Sequence, residues 1–240
     1  MMRVFVVCVA IAMAGGALAA DAPQFRGPDR DGIFKDTGLL KTWPEGGPAL
    51  AWKAEGVGKG YSGASVVGDT VYITGMEDDK QGYLYALDAA SGKQKWKSAY
   101  GPETEDSQAP GARSNPTVDG DKIYLISGMG ALVCLNKADG KVVWSVDTKK
   151  EFKGADTVWA IAESPLVDGN LVYASPGGPD ASVVALDKTT GTPTARRSFS
   201  SSAGSACSAR CSASPWSALM RRPGRCCGRT STRRTTTSTR

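Results

Sequence analysis

The chain of 240 residues contains no histidine. That excludes a Cys-x-x-Cys-His haem site, Ser-His-Asp and Cys-His catalysis, and histidine-ligated zinc. Cysteine is scarce too: of six, only Cys134 lies between residues 21 and 195. No internal disulfide can hold that stretch, so it relies on packing. Cys134 sits in an apolar run and reads as a small buried hydrophobe. After residue 20 nothing approaches eighteen consecutive apolar residues, so no membrane-spanning helix is expected there. Residues 196–240 lack lysine, aspartate and glutamate altogether, yet hold ten arginines and four cysteines. Without those arginines, 19 basic residues face 24 acidic ones, so the overall charge of +5 belongs to the tail.

What the chain does have is a repeated phrase. Ala86 to Trp96 reads A-L-D-A-A-S-G-K-Q-K-W, and Cys134 to Trp144 reads C-L-N-K-A-D-G-K-V-V-W. Ala185 to Gly191 reads A-L-D-K-T-T-G before the pattern breaks. Upstream of each lies a second phrase: Gly68 to Tyr72, Gly120 to Tyr124 and Gly169 to Tyr173. Tyr72, Tyr124 and Tyr173 stand 52 and 49 residues apart. A unit near 50 residues built from short apolar runs fits a four-stranded propeller blade.

Each unit carries two hairpin signals. Asp119-Gly120 suits the positive φ of a tight turn between two short strands. Asn136 to Gly140 forms the second turn, in which the Asx side chain caps amides and the glycine takes a left-handed position. Gly92 and Gly191 occupy the same place. Between the turns, Tyr83–Leu87 and Ala131–Leu135 are apolar enough for burial on both faces. Trp96 and Trp144 follow their glycines by four residues. On a strand there, the indole would wedge against the next sheet and donate to a neighbouring carbonyl. Ala49-Leu50-Ala51-Trp52 reads as one more strand, which would close the ring against a C-terminal blade in full-length relatives.

The A-x-D-x-x-x-G-K-x-x-W spacing resembles the tryptophan-docking repeat of the pyrroloquinoline-quinone (PQQ)-type propellers. That family includes quinoprotein dehydrogenases and non-enzymatic outer-membrane assembly propellers. Ala86–Trp96 matches at every fixed position, Cys134–Trp144 departs at its first residue and carries Asn136 for aspartate, and the third copy lacks lysine and tryptophan. The resemblance covers roughly residues 52–191, and Gln24-Phe25-Arg26-Gly27-Pro28 looks like the opening of secreted members. The expected fold is all-β: a partial propeller of about three four-stranded blades over residues 49–195, an incomplete ring with a disordered tail at 196–240. Such an arc has two raw sheet edges, which invite aggregation or pairing. The chain expressed alone is expected to be poorly soluble or proteolysed.

Residues 1–20 carry Arg3, an apolar run from Val4 to Met13, then Ala17-Leu18-Ala19. This is the pattern of a secretory signal peptide cleaved near Ala19 or Ala20, ahead of an N-terminal extension at 21–48. Cys8 lies inside the apolar core, which argues against lipid attachment. The protein is therefore expected in the periplasm or secreted. The tail has three readings: a basic arm, a cysteine metal or redox segment built on Cys207, Cys211 and Cys226-Cys227, or translation in the wrong frame. Shifting back one base permits V-V-G-A-D-A-A-T-G-Q-V-L-W-E over 216–229, which restores the repeat phrase. An out-of-frame, disordered tail is the expectation adopted.

No catalytic residue, metal site or cofactor-binding residue is assigned. The resemblance implies, for enzymatic members, PQQ in the central funnel, a calcium ion beside it and an acidic base. No carboxylate-plus-asparagine cluster marks these. Glu163 and Asn115, each just before a strand, could face the funnel, though solvated strand starts are the plainer reading. Asp88 and Asp187 belong to turns. Glu103-Thr104-Glu105-Asp106-Ser107 reads as a solvated acidic linker, and Ser175–Pro179 as a loop without a phosphate-loop lysine. The expected function is an exported, non-catalytic propeller that binds or scaffolds an envelope or extracellular protein, without nucleic acid. The alternative is a fragment of a PQQ-dependent alcohol or sugar dehydrogenase. A third reading is an accessory module for polysaccharides or sulfate esters.

Overall fold

The computed structural model describes residues 20–105 and 108–197. The expected signal peptide, apart from Ala20, and nearly all of the tail, with Cys8, Cys207, Cys211, Cys226 and Cys227, lie outside the described residues. Within them the chain is three antiparallel four-stranded sheets, each ordered as its strands occur in sequence. The first contains β1 (Ser65–Val67), β2 (Thr70–Met76), β3 (Gln81–Asp88) and β4 (Gln94–Pro102). The second contains β5 (Thr117–Asp119), β6 (Lys122–Ile126), β7 (Ala131–Asn136) and β8 (Val142–Asp147). The third contains β9 (Leu166–Asp168), β10 (Leu171–Ala174), β11 (Val183–Asp187) and β12 (Pro193–Arg197). These are the blades of an open propeller arc.

The blades share a register. A transverse row pairs Tyr72 with Ala86 and Ala86 with Trp96. The same row runs Tyr124, Cys134, Trp144 in the second blade and Tyr173, Ala185, Ala195 in the third. A bulge follows each middle residue of the row, before Leu87, Leu135 and Leu186. The first hairpins close with two residues, Gly68-Asp69, Gly120-Asp121 and Gly169-Asn170, glycine first at positive φ. Glycine at the first central position matches the twist of the flanking strands. In the second turns, Asp88 accepts the Ser91 amide at 2.9 Å and Asp187 accepts those of Thr189 and Thr190, each at 2.9 Å.

Strand alternation divides the core into two layers. On β6, Ile123 and Leu125 face the first blade, while Tyr124 and Ile126 face the third. On β7, Val133 and Leu135 face the first blade, and Leu132 and Cys134 the third. The middle blade is thus buried on both faces, which demands the unbroken apolar runs seen in sequence.

The indoles join one blade to the next. Trp144 Nε1 donates to the Lys188 carbonyl at 3.0 Å, and its ring lies on Gly191, where a Cβ would come within 2.8 Å. Trp96 covers Gly140 in the same way, at 2.6 Å. Each indole also leans on the tyrosine of its own row, with ring centroids 6.0 Å apart for Tyr72–Trp96 and 6.1 Å for Tyr124–Trp144.

Two features depart from expectation, and a third adds to it. Residues 49–52 form no strand, because no neighbouring strand offers them backbone partners, yet Trp52 is docked like the others. A short helix, α1 (Thr148–Phe152), follows β8, started by Asp147, whose carboxylate accepts the Lys150 amide at 3.0 Å. The extension at 21–48 is also tied to the blades. Ala22 pairs with Val66 on β1 (2.8 and 3.0 Å), Pro23 accepts the Val118 amide of β5 at 2.8 Å, and Arg30 donates to the Val167 carbonyl of β9. This strap supplies partners to the free edges of all three inner strands, groups that would otherwise depend on water.

Candidate functional site

The inner strands β1, β5 and β9 are entered through equivalent residues, Gly63, Asn115 and Ser164. Asn115 Oδ1 accepts the Gly63 amide at 2.6 Å, and the Asn115 amide donates to Ser164 Oγ at 3.0 Å. Below them, the Ser65 hydroxyl donates to the Pro116 carbonyl at 2.5 Å and the Thr117 hydroxyl to the Pro165 carbonyl at 2.8 Å. Neighbouring inner strands are thereby stitched by two side chains at each junction, which fixes where the strand mouths point.

Above these mouths lies a cleft of about 680 Å³. Asn115 and Glu163, the two residues singled out by sequence as able to face a funnel, both line it, with Arg113 and Ser164. Phe25 of the strap, Tyr61 and Trp159 supply its aromatic part, and all three are exposed, Trp159 by 54%. Glu163 Oε1 accepts the Ser175 amide at 2.6 Å. Burial raises its carboxyl above the ordinary range, opposed by that hydrogen bond. The Ser175–Pro179 loop therefore has a role its sequence did not advertise: its first amide anchors the acid. Arg113 donates to the carbonyls of Ala109 and, at 3.2 Å, Gly111. Asp88 and Asp187 stay in their turns.

The acidic linker needs correction. Glu103 is not solvated but only 4% exposed. Its Oε1 accepts the Tyr100 hydroxyl, and its Oε2 accepts the Gly128 amide at 2.7 Å. It therefore clasps the end of β4 to the β6–β7 turn of the next blade. Burial pushes its pKa up to about 7, against the pull of Tyr100, the Gly128 amide and the Arg113 charge. Asp106 and Ser107 lie outside the described residues.

Arg113, Tyr61 and Trp159 were missed by sequence reasoning. Aligned copies place Tyr61, Arg113 and Ala162 at one repeat position, where a frame residue would recur and these differ. That variability was the available signal for the first two. Trp159 belongs to no copy and had none.

Calcium takes about six to eight oxygen ligands. Among the described residues Glu163 is the one carboxylate lining this cleft, and it already accepts an amide. Among the described residues no three acidic, cysteine or histidine side chains gather to hold a metal. A polyanionic quinone would meet a single guanidinium turned onto main-chain carbonyls. The residues present do not fit that pair.

Four-stranded sheets fanned about short inner strands, with indoles docked on glycine turns, define a tryptophan-docked β-propeller. The chain belongs to the family described as outer membrane protein assembly factor BamB, whose profile matches residues 80–215. Among solved structures, BamB from Moraxella catarrhalis is 26% identical over 62% of this chain and 39% of that one, with a TM-score of 0.42. The quinohemoprotein alcohol dehydrogenase from Comamonas testosteroni is 23% identical over 63% of this chain and 22% of that one, TM-score 0.48. That from Pseudomonas putida is 28% identical over 60% and 22%, TM-score 0.47. The chain thus spans 39% of the length of the BamB structure and 22% of each dehydrogenase. Comparison with curated proteins gives no match. Among the described residues no helix is long and apolar enough to cross a membrane.

Proposed function

We propose that this chain is part of an exported, non-catalytic propeller that binds or scaffolds proteins of the cell envelope. The observation that carries this reading is the family match over residues 80–215. The cleft supports it: exposed Phe25, Tyr61 and Trp159 flank a mixed polar floor of Arg113, Asn115 and Glu163. Aromatic rings beside a few fixed polar groups suit recognition of another polypeptide. Export rests on Arg3, the apolar run Val4–Met13 and Ala17-Leu18-Ala19. Residues 196–240 are read as out of frame, so their arginines and cysteines carry no role; sequencing the gene from codon 190 tests that separately.

The experiment places a photo-crosslinking residue at 159 or, as control, at 143, which is exposed on β8. The chain is expressed with its own N-terminus and the mature N-terminus is determined. Processing after Ala19 or Ala20, with an envelope-protein adduct at 159 and none at 143, is expected. An unprocessed cytoplasmic chain, or equal labelling at both positions, refutes the reading. Titration with PQQ and calcium is expected to show no binding at micromolar quinone.

A further inference from the structure

The cleft above the strand mouths offers hydrogen-bond donors, while its side-chain acceptors are occupied. Asn115 Oδ1 takes the Gly63 amide, Ser164 Oγ takes the Asn115 amide, and Glu163 Oε1 takes the Ser175 amide. The Ser175 hydroxyl bonds the same Glu163 carboxyl. The donors are open. Among the described residues no acceptor meets the Tyr61 hydroxyl, the Trp159 indole N–H or the Asn115 side-chain NH2. Tyr61, Trp159 and the neighbouring Phe25 are all exposed.

These rings stand on fixed backbone. The Tyr61 amide donates to the Ala112 carbonyl at 2.7 Å. Trp159 lies in a tight turn. The Ala160 amide donates to the Thr157 carbonyl at 3.1 Å, and the Thr157 hydroxyl to the Ala160 carbonyl at 2.7 Å. Ile161, which follows, is buried and donates its amide to the Gly128 carbonyl at 3.0 Å. Phe25 lies inside the turn closed by the Gly27 amide on the Gln24 carbonyl, next to the contact of Pro23 with β5. A ligand therefore loses little free energy in ordering the rings.

The excess of donors selects the occupant. An ordinary extended polypeptide brings an amide donor at each residue, and a donor buried here without an acceptor is costly. An oligosaccharide brings hydroxyls that must donate as well as accept. Proline brings a carbonyl and no N–H. Proline-rich segments also hold a preformed polyproline II helix without internal hydrogen bonds, and they dock on aromatic-lined grooves. We propose that the cleft binds a proline-rich segment of its partner. Prolines pack against Phe25, Tyr61 and Trp159, and their carbonyls accept from Tyr61, Trp159 and Asn115. This names the partner's chemistry and rests on the binding role proposed above.

The test uses the exported full-length chain without substitution. Decaproline carrying biotin and a terminal benzophenone is added and irradiated, and its adducts are located by mass spectrometry. Saturable labelling at micromolar peptide is expected in the segments that carry Phe25, Tyr61 and Trp159, with none on β8. A glycine–serine decapeptide with the same groups keeps every N–H and is expected to label at least about tenfold less. Tyr61→Phe keeps the ring and removes the donor, so it should weaken decaproline labelling about threefold. Trp159→Ala should weaken it at least about tenfold. Both residues are exposed and lie outside the three sheets, and the comparison of the two peptides needs neither variant. Excess decaproline is expected to displace the envelope-protein adduct at position 159. Absent or unsaturable decaproline labelling, or equal labelling by the two peptides, overturns the inference. So does an envelope adduct at 159 that survives excess decaproline, which leaves the binding role itself standing. Saturable labelling of the cleft by decaproline without any envelope adduct supports the preference for proline and refutes the envelope role.

Discussion

Replacing Gly140 by alanine tests whether indole docking holds the blades together. Two costs arise at this residue. Its φ is +72°, a left-handed conformation that costs an L side chain about 1–2 kcal/mol. The new Cβ would also lie 2.6 Å from Trp96 Cε3 and 2.7 Å from Cζ3, with Ser98 Cβ at 3.1 Å. The ring cannot yield freely, because Tyr72 backs it at 6.0 Å; overpacking of this kind costs about 1–3 kcal/mol. Gly120→Ala separates the two costs, since Gly120 has φ +59° and nothing within 4 Å of its Cβ position. Gly140→Ala should therefore destabilise by about 2–5 kcal/mol, and Gly120→Ala by only about 1–2 kcal/mol. In a Trp96→Ala background the excess should vanish, a coupling of about 1–3 kcal/mol. Urea unfolding followed by far-ultraviolet circular dichroism measures all five variants without depending on indole fluorescence. Equal effects of Gly140→Ala and Gly120→Ala, or an excess that survives removal of Trp96, would refute docking as the source of blade cohesion.

Two further outcomes follow from buried titratable groups. Glu103 has a folded pKa of about 7 against an ordinary 4.5, so the folded state favours its protonated form. Its stabilising contribution is complete below pH 4.5 and is lost as pH rises through about 7, roughly 3 kcal/mol in all. Urea midpoints of Glu103→Gln should accordingly be flatter than those of the parent between pH 5 and 8; parallel profiles would refute the clasp. Burial pushes the Cys134 thiol to about 11. Alkylation of Cys134 at pH 8 should be at least ~100-fold slower in the folded protein than in urea, read from the modified peptide, and rapid labelling of the folded chain would contradict its place between blades.

The blades were legible because their determinants are local. Turn glycines, Asx caps and apolar runs act within a hairpin, so Gly68–Tyr72 or Asp88–Gly92 announces its geometry wherever it occurs. The tryptophans were legible for a related reason: a repeated spacing implies a repeated contact, and one copy's indole must find the next copy's glycine. Asn115 and Glu163 were visible only as candidates. Position before a strand says that a side chain sits at a strand mouth, not that neighbouring mouths converge.

Sequence alone thus determined the repeat, the four-stranded unit, the burial of Cys134 and the exclusion of histidine chemistry, since each depends on residue type or on contacts within about ten residues. Tertiary structure alone decided which side chains from different copies meet. It turned Glu103 inward onto Gly128, gathered Arg113, Tyr61 and Trp159 around one cleft, and laid the strap across three inner strands. It also docked Trp52 while withholding its sheet. Those outcomes depend on contacts between residues tens to more than a hundred positions apart, where no local spacing rule reaches.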